Sequence, residues 1–222
     1  LTVAVLRGLK RLRCREAVPV IAGDLLADPD PEVRWYAADS LGEIGCAEVL
    51  DSLLAILKQE PSSRVREAVI SAWERLDPAA LAPERRQELA GELLRVLHSD
   101  ADVLVRKSAA RALGRLGRDG ELEALAKSLA GNEPAVAEEA MKSALALTGA
   151  RREGLEKLGG WLKEMKQPGS FQVLLYRFWL ESVQDRPEDR EEAREVSRRL
   201  ASLLVKEARW GEAVEMLESQ LR

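Results

Sequence analysis

Histidine is the side chain that most often serves both proton transfer and metal binding, and this 222-residue chain contains one, His98. A single imidazole cannot form a His-based metal cage or a paired His-Glu site, so those chemistries are excluded. The residues Ser99 and Asp100 follow it and indicate a turn. We therefore expect His98 in the last turn of a helix, where an imidazole interacts with free backbone carbonyls.

The two cysteines, Cys14 and Cys46, occupy equivalent positions in successive sequence repeats. Stacked helices lie about 8–10 Å apart, whereas a disulfide needs α-carbons closer than about 7 Å, so we predict no bridge between them. Two thiols without further ligands also make a poor zinc site. Because cysteines are so scarce, we predict a reducing, cytoplasmic location.

Other groups that carry chemistry are equally unpromising. Gly159-Gly160 falls inside a predicted helix, and no glycine-rich phosphate loop follows a strand. The many carboxylates lie on solvated helix faces. We predict no catalytic residue, no metal site and no cofactor, and therefore a protein that is not an enzyme.

The composition indicates helices and does not favour nucleic acid. Hydrophobic residues make up 46% of the chain and charged residues 32%, which is enough apolar surface for a core. The net charge of −4 lacks the basic excess typical of proteins that bind phosphate backbones. No apolar run approaches the roughly 20 residues that cross a bilayer, and no signal peptide is evident. The chain begins at Leu1, and we expect both ends to be cut from a longer array.

An internal repeat dominates the first 150 residues. Four segments align with one another, and they begin at Val33, Val65, Val105 and Val136. The residues from Thr2 onward fit the same alignment. Apolar residues recur in each copy at i, i+4, i+8 and i+11, which is one stripe of an α-helix. Shorter amphipathic segments precede these helices at residues 16–27, 47–57, 83–97 and 121–130. Helix, tight turn, helix is therefore the predicted unit, and stacked units bury what one alone cannot.

Two of the copies carry a recognisable motif. Residues 28–45 read DPDPEVRWYAADSLGEIG and residues 100–117 read DADVLVRKSAARALGRLG. This pattern resembles the HEAT-like repeats described in phycobilisome lyases and covers about residues 1–150. The resemblance implies an all-α, right-handed α-solenoid of stacked antiparallel helix pairs. It also implies a structural ladder between repeats formed by Asp30, Asp102, Arg34, Arg66 and Arg106.

The repeat degrades after residue 150. Residues 151–186 are predicted to form a degenerate repeat or capping helix pair, and residues 187–222 a hairpin that resembles a tetratricopeptide repeat. Aromatic side chains gather in the second helix of the pair, which indicates either a capping core or a docking site for a partner: Phe171, Tyr176, Phe178 and Trp179.

In solenoids of the resembled family the second helix of each repeat lines the concave face, and this register suggests a binding surface. Trp35 falls off the apolar stripe, and Trp and Arg are common interface anchors. Basic residues recur on the same face, and the candidate contact residues are Trp35, Arg75, Lys107, Arg111 and Arg115. We expect a protein-interaction scaffold whose partner is another protein or an acidic peptide segment. The alternatives are a bilin lyase subunit, implied by the resemblance, and nucleic-acid binding through the basic rows.

Overall fold

The computed structural model describes residues 2–45, 49–117, 119–130, 133–165, 169–183 and 189–219, and all regular structure in these ranges is helical. The first seven α-helices are α1 (Thr2–Leu12), α2 (Val18–Gly23), α3 (Pro31–Ile44), α4 (Leu50–Gln59), α5 (Ser63–Glu74), α6 (Pro83–Ser99) and α7 (Val103–Leu116). The next six are α8 (Asp119–Ser128), α9 (Pro134–Thr148), α10 (Arg152–Glu164), α11 (Gly169–Val183), α12 (Arg190–Lys206) and α13 (Trp210–Ser219). The prediction of an all-α protein is confirmed.

Two compact units make up the chain. Unit 1 comprises Leu1–Gly117 and Asn132–Glu139, and unit 2 comprises Arg118–Gly131 and Ala140–Arg222. This division follows spatial contacts, whereas the boundaries at residues 150 and 186 follow the sequence repeat and stay a prediction.

In unit 1 the second helices of successive repeats stack directly, α1 on α3, α3 on α5, and α5 on α7. The first helices pack beside them, α2 on α3, α4 on α5, and α6 on α7. The predicted apolar stripes are buried in this stack, since Ala37, Leu41, Ala109 and Leu113 are fully inaccessible to solvent. In unit 2, α8 packs on α10, and α10 through α13 pack in chain order.

Local sequence explains where the second helices begin. Asp30 and Asp102 are N-caps, and their carboxylates accept hydrogen bonds from the N–H groups of Glu32 and Leu104, each at 2.8 Å. Pro31 follows Asp30 at the first helical position, where its missing N–H is no loss. The helix α3 ends at Gly45, which adopts a left-handed conformation with φ of 71°.

One predicted helix differs from the structure. Residues 16–27 form the short helix α2 between two 3₁₀ turns, Arg15–Ala17 and Leu25–Ala27. Pro19 lies in the first turn of α2 and Gly23 is its last residue, so a proline and a glycine bound it on both sides. The amphipathic pattern was right about the buried side, since Val18, Ile21 and Leu26 are buried.

Gly42 is the point of closest approach between α3 and α5. A β-carbon at this position would lie 2.7 Å from Ala72 Cα and 2.9 Å from the Arg75 guanidinium. Because the nearest atom belongs to the backbone of α5, a larger residue must push the two helices apart. By contrast, a β-carbon at Gly91 in α6 would meet nothing within 4 Å.

We predict that Gly42→Ala lowers the free energy of unfolding by about 1–2 kcal/mol, because overpacking outweighs the better helix propensity of alanine. The matched variant Gly91→Ala should instead raise it by about 0.5–1 kcal/mol. Urea unfolding followed by circular dichroism measures both. Equal stabilisation by the two substitutions would contradict a close helix contact at Gly42.

In unit 2, α12 ends in a Schellman turn built on a non-glycine residue. Ala208 adopts a φ of +58°, and the N–H of Arg209 donates to the Leu204 carbonyl at 2.8 Å. The left-handed conformation costs an L-residue about 1–2 kcal/mol. Glycine adopts it without that cost.

We predict that Ala208→Gly raises the free energy of unfolding by about 0.5–1 kcal/mol, the released strain being partly offset by the greater freedom of the unfolded chain. Thermal unfolding of Ala208→Gly beside Ala208→Val measures it. A β-branched residue at this φ should lower stability, and the same sign for both variants would contradict the argument.

Candidate interaction surface

Arginines at equivalent positions of successive second helices join each repeat of unit 1 to the next. Arg34 makes a two-pronged ion pair with Glu60, with both nitrogen–oxygen distances at 2.8 Å. Arg66 makes the same pair with Asp100, again at 2.8 Å for both contacts. Arg106 on α7 likewise forms an ion pair with Glu133, which lies just before α9. We call these three pairs the arginine ladder.

Each ladder arginine also holds the turn before its own helix. Nη1 of Arg34 donates to the carbonyls of Asp28 and Pro29 at 2.8 and 3.1 Å. Nη1 of Arg66 donates to the carbonyls of Glu60 and Pro61 at 3.1 and 2.9 Å. One guanidinium thus fixes the turn of its own repeat and the acid of the following one, which sets the stacking register.

The predicted ladder was right in its arginines and wrong in its acids. Asp30 and Asp102 cap helices, as described above, and the arginines pair with Glu60, Asp100 and Glu133 instead. Glu60 and Asp100 lie two residues before the N-cap of the following helix, and they also accept the N–H groups of Ser62 and Asp102, each at 2.9 Å. An acid at that offset is the sequence signal for the true partner.

The charge state of Glu60 follows from these contacts. Burial, the strongest single influence, would raise the pKa of its carboxyl. Hydrogen bonds from Arg34 and from the Ser62 N–H, together with the nearby Arg34 and Arg66 charges, outweigh burial and lower that pKa below the ordinary value. Glu60 therefore stays ionised in the folded protein.

The exposed edge of the stacked helices α1, α3, α5 and α7 is called the row surface below, and it contains all five candidate contact residues. Arg75 donates to Asp39 at 3.0 Å, and Asp39 also pairs with Lys10 at 2.6 Å. A second contact of Arg75 is Glu43 at 3.5 Å. These pairs tie together three successive second helices.

The basic cluster on α7 is partly neutralised by neighbouring acids. Arg111 lies 3.0 Å from the Glu74 carboxylate on α5, and Lys107 lies 4.0 Å from Glu139 on α9. Arg115 is exposed and has no ion pair within the described ranges. Within the described ranges, these pairs leave only Arg115 of the α7 cluster without a counter-charge.

Trp35 is half-buried on the row surface. The guanidinium of Arg64 on α5 lies over its ring, 4.9 Å from the centroid. Tyr36 contacts it edge to face with a centroid distance of 4.7 Å, and Arg7 on α1 covers the ring of Tyr36 in turn. The two adjacent rings on α3 are therefore flanked by a cation from α1 and a cation from α5, and Trp35 stays partly accessible to solvent.

The remaining sequence candidates lie at a helix end and beside a short 3₁₀ turn. His98 lies in the last turn of α6, as predicted. Cys14 is a free thiol that contacts Glu16 at 3.3 Å, and Cys46 lies outside the described residues. Over the ranges given above, no group of three or more His, Cys, Asp or Glu is arranged to hold a metal ion, and no helix there is long and apolar enough to span a bilayer.

The aromatic helix α11 contributes mainly to the core of unit 2. Tyr176 and Trp179 are buried and their rings stack at 6.0 Å, while Phe171 and Phe178 are half-buried. The indole N–H of Trp179 donates to Glu192 at 2.8 Å. Burial of these two rings is what a capping core requires, and the docking alternative for α11 stays a prediction.

Comparison with known proteins supports the repeat assignment. The family model of HEAT repeats matches residues 2–74. No curated protein sequence matched the chain. Among solved structures, the fold is similar to a chain described as a homology model of the full-length AP-3 complex in an intermediate open conformation, with 14% identity and a TM-score of 0.64. That match covers 98% of this chain and 44% of the other, so this chain spans less than half of that protein's length. Residues 2–74 thus match the HEAT-repeat model, and they lie within an all-α fold of stacked helix pairs.

We predict that Glu60→Gln lowers the free energy of unfolding by about 1–3 kcal/mol at neutral pH, because the charge-assisted ladder pair with Arg34 is lost. The folded-state pKa of Glu60 lies below its unfolded value of about 4.3, so its stabilisation is present above that pH. As the pH falls through the folded-state pKa, the stabilisation disappears and the two proteins should converge. Urea unfolding at a series of pH values measures this.

The exposed carboxylate Glu181 on α11 supplies the matched control, and Glu181→Gln should change stability little at any pH. A Glu60→Gln difference that stays constant down to acid pH would show that the lost contact is not the ionised pair.

Proposed function

We propose that this chain is a non-catalytic scaffold that binds another protein through the row surface. The observation that carries the proposal is the direct stacking of α1, α3, α5 and α7, which joins side chains of successive repeats into one continuous surface. Stacked helical repeats use such extended surfaces for binding, and the HEAT repeats of residues 2–74 belong to this architecture. The AP-3 chain with a similar fold is, by its description, part of a complex, which supports a role in an assembly.

Within this proposal the five candidate residues have different roles. Trp35 and Arg115 make the partner contacts, because Trp35 is a partly accessible aromatic ring and Arg115 has no ion pair among the described residues. Arg75, Lys107 and Arg111 are held in place by Asp39, Glu139 and Glu74, and they shape the surface around these two residues. A preorganised surface loses less side-chain entropy on binding, which favours affinity. The scarcity of cysteines supports a cytoplasmic setting.

No contact among the described residues favours the bilin lyase or nucleic-acid alternative. Phosphate binding needs basic groups free to replace counter-ions, and Lys107 and Arg111 already face carboxylates. Nothing in the described part of the chain points to a bilin pocket in the row surface.

We predict that Trp35→Ala and Arg115→Glu each remove the partner captured by the native chain from lysate of its source. Truncating an aromatic anchor should weaken affinity for that partner by about tenfold or more. Quantitative mass spectrometry identifies the protein, and a titration with the purified partner measures the dissociation constants.

The matched control is Lys58→Glu, which makes the same charge change as Arg115→Glu at an exposed position on α4, outside the row surface. It should leave capture intact. Urea unfolding of every variant separates binding from folding. If the two row-surface variants retain the partner while Trp35→Ala loses stability, Trp35 is a packing residue and the proposal fails.

A further inference from the structure

Unit 2 contains an open cleft of about 630 Å³ lined by α10, α11 and α12. Its volume lies within the roughly 300–1,000 Å³ range of protein ligand sites. The charged side chains that line it are four basic groups and one carboxylate: Lys163, Arg198, Arg199, Lys206 and Glu195. The lining therefore carries an excess of positive charge in a protein whose net charge is −4.

The basic groups differ in how far they are already satisfied. Arg198 and Arg199 both pair with Glu195, at 3.3 and 2.9 Å. Lys163 and Lys206 are exposed, and neither has a hydrogen bond or ion pair to any residue that the structure describes. One carboxylate serves two arginines, so the two lysines remain available for an incoming acid.

The floor of the cleft is rigid. Tyr176 is 5% exposed, stacks on Trp179, and lies near Arg199, whose pKa it helps to raise after the larger effect of the Glu195 hydrogen bond. Trp179 is held in turn by Glu192 at 2.8 Å. Fixing the floor in this way reduces the entropy that a ligand must remove on binding.

Two other clefts among the described residues have a smaller excess of positive charge or none. A neighbouring cleft of about 440 Å³ has four carboxylates against three arginines: Asp189, Glu191, Glu192 and Glu195 against Arg152, Arg198 and Arg199. In unit 1 a cleft of about 420 Å³ includes three arginines and two acids, and its Arg75 is already paired. Only the α10–α12 cleft, among these three, combines excess positive charge with unpaired lysines.

We propose that the α10–α12 cleft binds an acidic segment of a partner protein, with Lys163 and Lys206 receiving its carboxylates. Charge complementarity selects a peptide rich in Glu or Asp, and the aliphatic stems of the lysines and Leu203 contact its apolar atoms. The pairing of Glu195 with Arg198 and Arg199 is an example, within the cleft, of the carboxylate contacts that we propose for the partner. The inference shares with the proposed function only the premise of a protein partner, and it concerns a different surface.

The test uses the full chain and a fluorescein-labelled oligoglutamate peptide, with binding measured by fluorescence anisotropy at low and high salt. Lys163→Glu combined with Lys206→Glu should weaken binding about tenfold or more. Arg190→Glu combined with Arg194→Glu makes the same charge change on α12 outside the cleft and should leave the affinity nearly unchanged. Glu195→Gln removes the competing carboxylate and should tighten binding about two- to fivefold. A gain of affinity cannot result from misfolding.

The control ligands are an oligoglutamine peptide of equal length, inorganic phosphate, oligothymidine, and vesicles of phosphatidylserine and phosphatidylcholine. Binding of oligoglutamate that follows the cleft variants supports the proposal. Equal losses from the two double variants would show general electrostatic attraction and overturn it, as would the absence of peptide binding. Binding only to phosphate, oligothymidine or vesicles would assign the cleft to phosphate groups and also overturn it. Because Trp35 and Arg115 are unchanged in these variants, failure of this proposal would not affect the proposed function of the row surface.

Discussion

The stacking of unit 1 depends on guanidinium groups that each make contacts in two directions. A ladder arginine donates to the carbonyls of its own turn and to the acid of the next repeat, as Arg66 does with Pro61 and Asp100. Hydrophobic packing between helices tolerates small sliding movements, whereas a two-pronged ion pair has a defined geometry. The ladder therefore fixes a register that the apolar stripes alone would leave loose. Close packing at Gly42 against Ala72 is possible only in that register.

A fixed register also decides what the row surface can bind. Acids and bases of successive second helices meet across the stack, as Asp39 does with Lys10 and Arg75. Each such pair on a partly exposed surface contributes little to stability, but it removes a charge that a ligand would otherwise neutralise. Under the proposed function, recognition therefore depends on the partly accessible ring of Trp35 and on Arg115, which has no ion pair among the described residues.

The sequence predicts the helices well and the partners poorly, for a physical reason. Helix positions follow from local periodicity, so the stripe from Val105 to Leu116 was read correctly and is buried. Ion pairs depend on which residues the stack brings together. Arg111 meets Glu74 across 37 positions, and that contact needs the register as well as the repeat. Pro19 and Gly23 limit the helix within residues 16–27 to a short one. The prediction gave more weight to the amphipathic pattern of the segment than to these two residues.

The α10–α12 cleft was missed because its cations come from segments without a repeat. Lys163 lies in the last turn of α10 and Lys206 is the last residue of α12, and nothing in their spacing relates the two. Both positions suit a lysine for a local reason, since a cation in the last turn of a helix favourably meets the carbonyl end of its dipole. The packing of α10 to α12 around Tyr176 then turns two independent helix-end charges into one site. Because neither lysine has an ion pair among the described residues, an acid that reaches both gains more than it would at the row surface, where carboxylates already pair with most of the cations.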